Sequence, residues 1–254
     1  MLAISLQSGS NGNCIYVESR GVRLLLDAGI SGKQAAERLA QRGRDIRDVH
    51  AVILSHDHAD HVRCAGIFQR KFKLPLYVTP ATLAAASQYG TLGTLDDVRL
   101  FQSGQSLKFD HVTVHTLATP HDAADGVGFI VEAEGARLGV LTDLGHAFEA
   151  LGPVLAGLDA VLLESNYDEE MLERGPYPYF LKQRIRGPRG HLSNVDASRL
   201  LCDFGRRLQW VCLGHLSQEN NHPQLALDTH RRALGAGLPL QVASRYHVSE
   251  VMEL

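Results

Sequence analysis

The hexapeptide His56-Asp57-His58-Ala59-Asp60-His61 constrains this chain more than any other stretch. Ahead of it, Ala51 to Ser55 is a short apolar run of the kind a buried strand makes. Behind it, Val62 to Lys71 has amphipathic helical spacing. The hexapeptide is therefore predicted to be the turn from a strand end to a helix start. On its extended part His56 and His58 point to the same side. Asp60 and His61 enter the helix side by side and can aim at a second point. Three imidazoles with one or two carboxylates suit borderline divalent metals such as zinc or manganese. The motif is not the HExxH of zinc proteases, which sets two histidines on one helical face. A polar loop that happens to be rich in histidine is the alternative, and the strand-turn-helix context speaks against it.

At 254 residues the chain is long enough for one large domain or two small ones. With 44% hydrophobic and 21% charged residues its composition is that of an ordinary globular protein. A net charge of -3 excludes a generic polyanion binder, so any nucleic-acid site must be a local patch. Cys14, Cys64, Cys202 and Cys212 are scattered without a CxxC pair, which indicates neither a zinc knuckle nor a disulfide frame. The N-terminal stretch MLAISLQSGSNGN lacks the basic and apolar regions of a signal peptide. No apolar run approaches the roughly 20 residues that cross a bilayer. A reducing, cytoplasmic setting without membrane contact is expected.

Leu2 to Leu6, Asn13 to Val17 and Val22 to Asp27 read as strands, the first two joined by the tight glycine-rich turn SGSNGN. Ser31 is placed to cap a helix over Lys33 to Gln41, with Gly43 as its stop. After the hexapeptide come a strand at Leu74 to Val78 and a helix opened by Thr79-Pro80. Short strands follow at Val112 to Leu117, Val127 to Glu132 and Arg137 to Thr142. A helix over Ala147 to Ala156 precedes the strand Ala160 to Glu164. Pro176 to Gly190, rich in proline and aromatics, reads as irregular. Ser193 and Asp196 resemble a capping box for a helix reaching Phe204. Trp210 to Leu213, a helix over Pro223 to Leu234 and a strand near Leu240 close the chain. No repeat or linker interrupts this order, which fits a single α+β domain over residues 1–254. Its predicted architecture is a four-layer αββα sandwich, two facing mixed sheets with helices outside.

Several polar segments carry further chemistry. Ser8, Ser10, Asn11 and Asn13 can line a small anion nest, or simply form a hairpin turn. Glu164-Ser165-Asn166-Tyr167 follows a buried strand and can supply groups that orient ligands. Gly190 to Asn194 opens a predicted helix, a natural place for a phosphate with Ser193 and Asn194 as contacts. His191 there can bind phosphate or protonate a leaving alkoxide, or belong only to a capping loop. Tyr177 to Arg189 carries Lys182, Arg184, Arg186 and Arg189, no acidic residue, and interleaved aromatics. It reads either as a track for a nucleic-acid backbone with tyrosines to stack on bases, or as a solvated loop. His215 to Asn221 is a polar loop in which Ser217 is a further contact.

The hexapeptide resembles the HxHxDH signature of the metallo-β-lactamase superfamily. That resemblance implies three later ligands, a His, an Asp and a last His. His121 in TPHD, Asp143 in TDLGH and His215 in GHLSQENN each stand at a predicted strand end in that order. The implied centre has one ion on His56, His58 and His121, and a second on Asp60, His61 and His215. Asp143 and a water or hydroxide, the nucleophile, lie between them. Open coordination positions mark such a site as catalytic. After Asp60, Asp143 and a hydroxide the centre keeps a charge of about +1, which attracts anionic substrates. These ligand types accept zinc, manganese or iron.

SGSNGN, HDHADH, TPHD, TDLGH, LESNYD, the stretch ending in GHLSN and GHLSQENN together resemble the YycJ/WalJ branch of the superfamily, over nearly the whole chain. The late histidines are also similar to those of tRNA 3′-processing endonucleases. The chain lacks the long exosite insertion of those enzymes and the inserted β-CASP domain of the RNase J type. The resemblance implies a metal-dependent 5′→3′ exonuclease acting on DNA rather than RNA in repair, with Asp60 and His191 as catalytic groups. His146 departs from the expected pattern and is assigned no role. The alternative is a small-molecule metallohydrolase acting on a cyclic phosphodiester, thioester or lactone. The basic segment and His191 argue against the neutral esters. A non-enzymatic module with a degenerate site is disfavoured by the full ligand set.

Overall fold

The computed structural model describes residues 1–254. In chain order it holds β1 (Leu2–Gln7), β2 (Cys14–Ser19), β3 (Val22–Leu26), α1 (Gly32–Ala40), β4 (Ala51–Ile53), α2 (Ala59–Val62), α3 (Ala65–Phe72), β5 (Leu76–Val78), α4 (Pro80–Ser87), β6 (Val98–Leu100), β7 (Ser106–Phe109) and β8 (Val112–Ala118). There follow β9 (Val127–Ala133), β10 (Ala136–Leu141), α5 (Leu151–Ala156), β11 (Ala160–Glu164), α6 (Glu169–Arg174), α7 (Tyr179–Arg186), α8 (Asn194–Phe204), β12 (Trp210–Gly214), α9 (Pro223–Leu234), β13 (Leu240–Val242) and β14 (Met252–Glu253). The strands make two mixed sheets of seven strands each. No helix is long and apolar enough to cross a membrane.

The chain divides into two compact units. The first comprises residues 1–118, 123–127 and 244–254. Its sheet runs β14-β1-β2-β3-β4-β5-β6, antiparallel as far as β3 and parallel from β3 onward. β7 and β8 form an antiparallel hairpin. α1 carries the predicted cap: the Ser31 hydroxyl accepts from the Gln34 amide, and the Gln34 side chain returns to the Ser31 backbone. Thr79 caps α4 with Pro80 in the first turn. Such caps contribute about 1 kcal/mol each. Leu39 of α1 and Phe68 of α3 share one core with Leu25, Val52 and Leu76 of the sheet.

The second unit comprises residues 119–122 and 128–243. Here β10, β11, β12 and β13 pair in parallel, and β9 lies antiparallel against β10. β11 and β12 are buried at every position, which explains why their sequences are apolar runs without alternation.

β6, β7 and α6 are not among the elements expected from sequence, and four further segments differ from it. The helix predicted over Val62 to Lys71 is split, because the Cys64 amide donates to the Ala28 carbonyl at 3.0 Å and leaves the helical ladder. α5 starts at Leu151 rather than near Ala147; Pro153 lacks an amide and is tolerated only in a first turn. The stretch Pro176 to Gly190 is not irregular throughout, for it contains α7. Leu181 and Ile185, four apart, pack against Tyr167 and Leu172, and that small core holds the helix between its flanking prolines. β14 has only two residues and no periodicity to announce it, yet it pairs with β1.

Candidate metal centre

Parallel pairing decides where the polar groups of each unit gather. In the first unit Leu26 of β3 stands opposite Ile53 of β4, so Asp27 and the hexapeptide leave the sheet at neighbouring carboxyl ends. The Asp27 carboxylate accepts from the Ser55 amide at 2.8 Å, from its hydroxyl at 2.9 Å, and from His61 Nδ1 at 2.7 Å. His61 is fully buried, and this contact fixes Nδ1 as the protonated nitrogen and turns Nε2 outward as a lone pair. Ser55 Oγ also lies 2.9 Å from His56 Nδ1. The His56 ring is 4.7 Å from that of His58 and 4.1 Å from that of His61, centroid to centroid.

α2 has only one turn and cannot satisfy its own carbonyls. The Asp60 carbonyl accepts from the Asn13 amide at 2.8 Å and the His61 carbonyl from the Ala28 amide at 2.7 Å. The backbone of residue 29 packs so closely on this turn that a Cβ there would fall 1.7 Å from the Asp60 carbonyl oxygen, which restricts the position to glycine.

In the second unit Leu141 of β10 stands opposite Leu163 of β11, and Glu164 opposite Gly214 of β12. Asp143, Glu164 and His215 therefore emerge side by side. Each of Asp143, Glu164, His191 and His215 offers one donor atom within 4.8 Å of the others. His121 Nδ1 donates to the Gly190 carbonyl at 2.8 Å, which leaves Nε2 turned to Asp143 Oδ1 at 3.6 Å. His215 Nδ1 lies 3.5 Å from Asp143 Oδ1 and 3.4 Å from Glu164 Oε1. Glu164 is fully buried and meets His191 Nδ1 at 2.6 Å, while its other oxygen accepts from the Leu144 and Leu192 amides. Burial alone pushes the Glu164 carboxyl up; the neighbouring His191 and the hydrogen bonds from His191 and His215 outweigh it and hold it down at about 2.

Three of these residues share an uncommon backbone. Asp27, Asp143 and His215 have φ of 67°, 55° and 53°, in the left-handed region that non-glycine residues seldom enter. Neither set is strung along one regular strand or helix. Each uses the abrupt turn at a parallel strand's end to aim a side chain.

The donor chemistry fits divalent ions. Imidazole nitrogens with the opposite ring nitrogen bonded to a carboxylate or a carbonyl, together with carboxylate oxygens, are what zinc and manganese sites use. In the first unit the set is His56, His58, Asp60 and His61, and in the second His121, Asp143 and His215, with Glu164 and His191 beside them.

The expected substrate contacts fare unequally. Ser193 and Asn194 are fully buried. The Ser193 hydroxyl caps α8 by accepting from the Asp196 amide at 3.0 Å, and the Asn194 amide group is locked to Ser165 and Asn221. Both side chains are spent on the fold, which corrects their reading as phosphate contacts. The Ser217 hydroxyl accepts from Asn220. Ser8 is buried and its hydroxyl reaches Asn13 Oδ1, while the Asn13 amide turns toward Asp60 and His61. Ser10 and Asn11 face the Arg245 guanidinium, and Arg63 donates to the Asn11 carbonyl, so two cations flank this turn. The basic segment is helical and largely paired: Arg184 with Asp122 at 2.5 Å, Arg186 with Glu173 at 2.6 Å, and Lys182 and Arg189 on carbonyls of Glu173 and His121. Tyr179 and Phe180 at its start are 76% and 73% exposed. His146 Nδ1 donates to the Pro188 carbonyl at 2.7 Å, a tether for the loop after α7.

Asp27 and Ser55 stand outside the site residues expected from sequence. A carboxylate closing an apolar strand singles out Asp143, and the same signal stands at Asp27 in VRLLLD. Arg63 and Arg245 carry no signal, being 52 and 234 residues from Asn11 along the chain.

Residues 22–215 match the model of the β-lactamase superfamily domain. The chain is 35% identical over 224 residues to exodeoxyribonuclease WalJ of Streptococcus pneumoniae serotype 2, covering 87% of this chain and 83% of that protein. It is 34% identical over 223 residues to exodeoxyribonuclease YycJ of Bacillus anthracis, covering 87% of this chain and 84% of the relative. Among solved structures, the metallo-β-lactamase fold protein YhfI of Bacillus subtilis aligns with a TM-score of 0.74 at 17% identity, covering 98% of each chain.

Proposed function

The chain belongs to the metallo-β-lactamase superfamily, and on that premise we propose that it is a dinuclear metal-dependent phosphodiesterase removing nucleotides from the 5′ end of DNA in repair. In this reading both units work as one hydrolase domain. His56, His58 and His121 would hold one ion and Asp60, His61 and His215 the other, with Asp143 as a ligand common to both. Manganese or zinc suits the donors, and iron is accepted by the same set. When bound, the ions supply Lewis acidity and an activated water at neutral pH.

The observation that carries a phosphodiesterase is the pairing of the buried Glu164 with the partly exposed His191 beside Asp143 and His215. The polymer type follows the exodeoxyribonuclease relatives, and the polarity follows the family resemblance. Glu164 stays ionised at any working pH and accepts the Nδ1 proton of His191. It thereby stabilises the imidazolium and leaves Nε2 to give a proton to the departing sugar oxygen. Asp27 and the Gly190 carbonyl fix the tautomers of His61 and His121. Asp27 and Glu164 add negative charge beyond that of Asp60 and Asp143, and each is hydrogen-bonded to a histidine. Tyr179 and Phe180 offer exposed rings on which unpaired bases stack. A reducing, cytoplasmic setting belongs to the same reading, and four free cysteines are in keeping with it.

Digestion of 5′- and 3′-labelled DNA and RNA duplexes, with manganese or zinc restored to the stripped protein, tests the reading. Nucleotides are expected from the 5′ end of DNA. Turnover of a small cyclic phosphodiester with no polymer cleaved would overturn it. Replacing Arg184, Arg186 and Arg189 together by glutamine is expected to weaken DNA binding. The slope of log K against log salt should fall by about 1 for each phosphate that the variant no longer neutralises. An unchanged slope in filter binding would reduce α7 to a scaffold for His121.

A further inference from the structure

Asn13 lies in the first glycine-rich turn, and its carboxamide is buried at 3% exposure. Its Oδ1 is pinned by the Gly9 amide at 2.9 Å and the Ser8 hydroxyl at 3.3 Å. Its Nδ2 donates to the Gly9 carbonyl at 3.2 Å and faces two further acceptors, His61 Nε2 at 2.9 Å and Asp60 Oδ2 at 3.3 Å. The Asp27 carboxylate on Nδ1 makes Nε2 of His61 the unprotonated nitrogen, so the short contact is a hydrogen bond from the Asn13 amide into the His61 lone pair. That lone pair and that carboxylate oxygen are the ones a metal ion would take.

We propose that Asn13 is a built-in competitor for the ion at the Asp60–His61 pair: its amide protons hold the two ligands together when no ion is bound, and must be displaced when one arrives. The inference rests on the dinuclear reading above. A primary amide is neutral, with two N–H donors on one nitrogen; one goes to the Gly9 carbonyl and the other is shared between the His61 imidazole and the Asp60 carboxylate, without adding charge. Its own oxygen is anchored in a turn that Gly12 shapes with φ of 143°, and a Cβ on Gly12 would fall 2.7 Å from the Gly29 carbonyl oxygen. The amide is thus presented from a rigid support. The consequence is a second ion bound more weakly than the ligand set alone would give, and an enzyme whose activity follows the supply of free metal.

The test is competition between the full-length protein and a chelating dye for manganese and for zinc, with melting temperature recorded across the same titrations. The wild type is expected to hold two ions with separate affinities. Asn13→Ala removes the competing amide, and the weaker affinity should rise by roughly tenfold, the order expected for one displaced hydrogen bond shared with a charged acceptor. Asn13→Asp keeps the acceptor for the Gly9 amide, removes both donors, and sets a carboxylate beside Asp60. It should melt lower without metal, bind the second ion more tightly, and gain more melting temperature from metal than the wild type does. Should Asn13→Ala fail to fold, the near-isosteric Asn13→Leu, which brings neither donor nor charge, decides the question. Unchanged or weakened second-ion binding in the variants would overturn the role of Asn13 and leave the dinuclear reading standing. A wild type that saturates with fewer than two ions would overturn both.

Discussion

Asp143→Asn is expected to leave a folded protein without measurable nuclease activity. Asp143 is buried at the end of β10, with Oδ1 3.5 Å from His215 Nδ1 and 3.6 Å from His121 Nε2, so it addresses two imidazoles at once. The amide keeps the size of the side chain and tolerates a φ of 55°, which alanine would adopt at a cost of about 1–2 kcal/mol. Metal-supplied stabilisation is worth several kcal/mol, so losing the shared carboxylate should lower the rate by on the order of 10³-fold or more. Initial rates on 5′-labelled duplex, with metal content and melting temperature measured alongside, check this. A variant that keeps a tenth of the activity would remove Asp143 from the ligand set.

His191→Ala is expected to lower DNA hydrolysis by about 10²–10⁴-fold while sparing an activated aryl phosphodiester. A nitrophenolate departs without a proton, whereas a sugar oxygen needs one. The contrast between the two substrates therefore reads the proton donor directly. His191 also lies within donor reach of Asp143, Glu164 and His215. If it served as a metal ligand instead, the alanine variant would lose bound metal and both activities together. Glu164→Gln should show the same substrate contrast as His191→Ala, since it removes the charge that stabilises the imidazolium. The acidic limb of the wild-type pH–rate profile will not come from Glu164, which stays ionised down to about pH 2.

What is legible in the sequence is what the chain encodes locally. The hexapeptide, Asp143 and His215 each follow an apolar strand at once, so a short window suffices to find them. Ser31 and Thr79 announce their helices by side chains that bond three residues on. Asp27 ends an apolar run in the same way, but no window shows its partners, which the parallel pairing of β3 with β4 brings to it: Ser55 and His61, 28 and 34 residues away. Glu164 reads from sequence only as a group able to orient ligands; its burial and four partners belong to three strand ends meeting. α7 is hidden by flanking prolines, since the helix depends on Tyr167 and Leu172 to cover Leu181 and Ile185. Ser193 and Asn194 illustrate the opposite error. Polar residues at a helix start suggest a ligand, but here the helix itself is the ligand.

Four of the seven non-glycine residues with positive φ, Arg20, Lys73, Asp110 and Glu134, close hairpins or end a helix. The other three, Asp27, Asp143 and His215, serve the chemistry. Each would rest more easily as glycine, by up to about 1 kcal/mol. At Asp27 that strain is outweighed by three buried hydrogen bonds that glycine would forfeit. At Asp143, a buried carboxylate set among histidines, heat resistance and turnover are opposed: a library of variants sorted only by melting temperature would drift toward glycine there and lose the catalytic centre, so any stabilisation of this scaffold has to hold that position fixed.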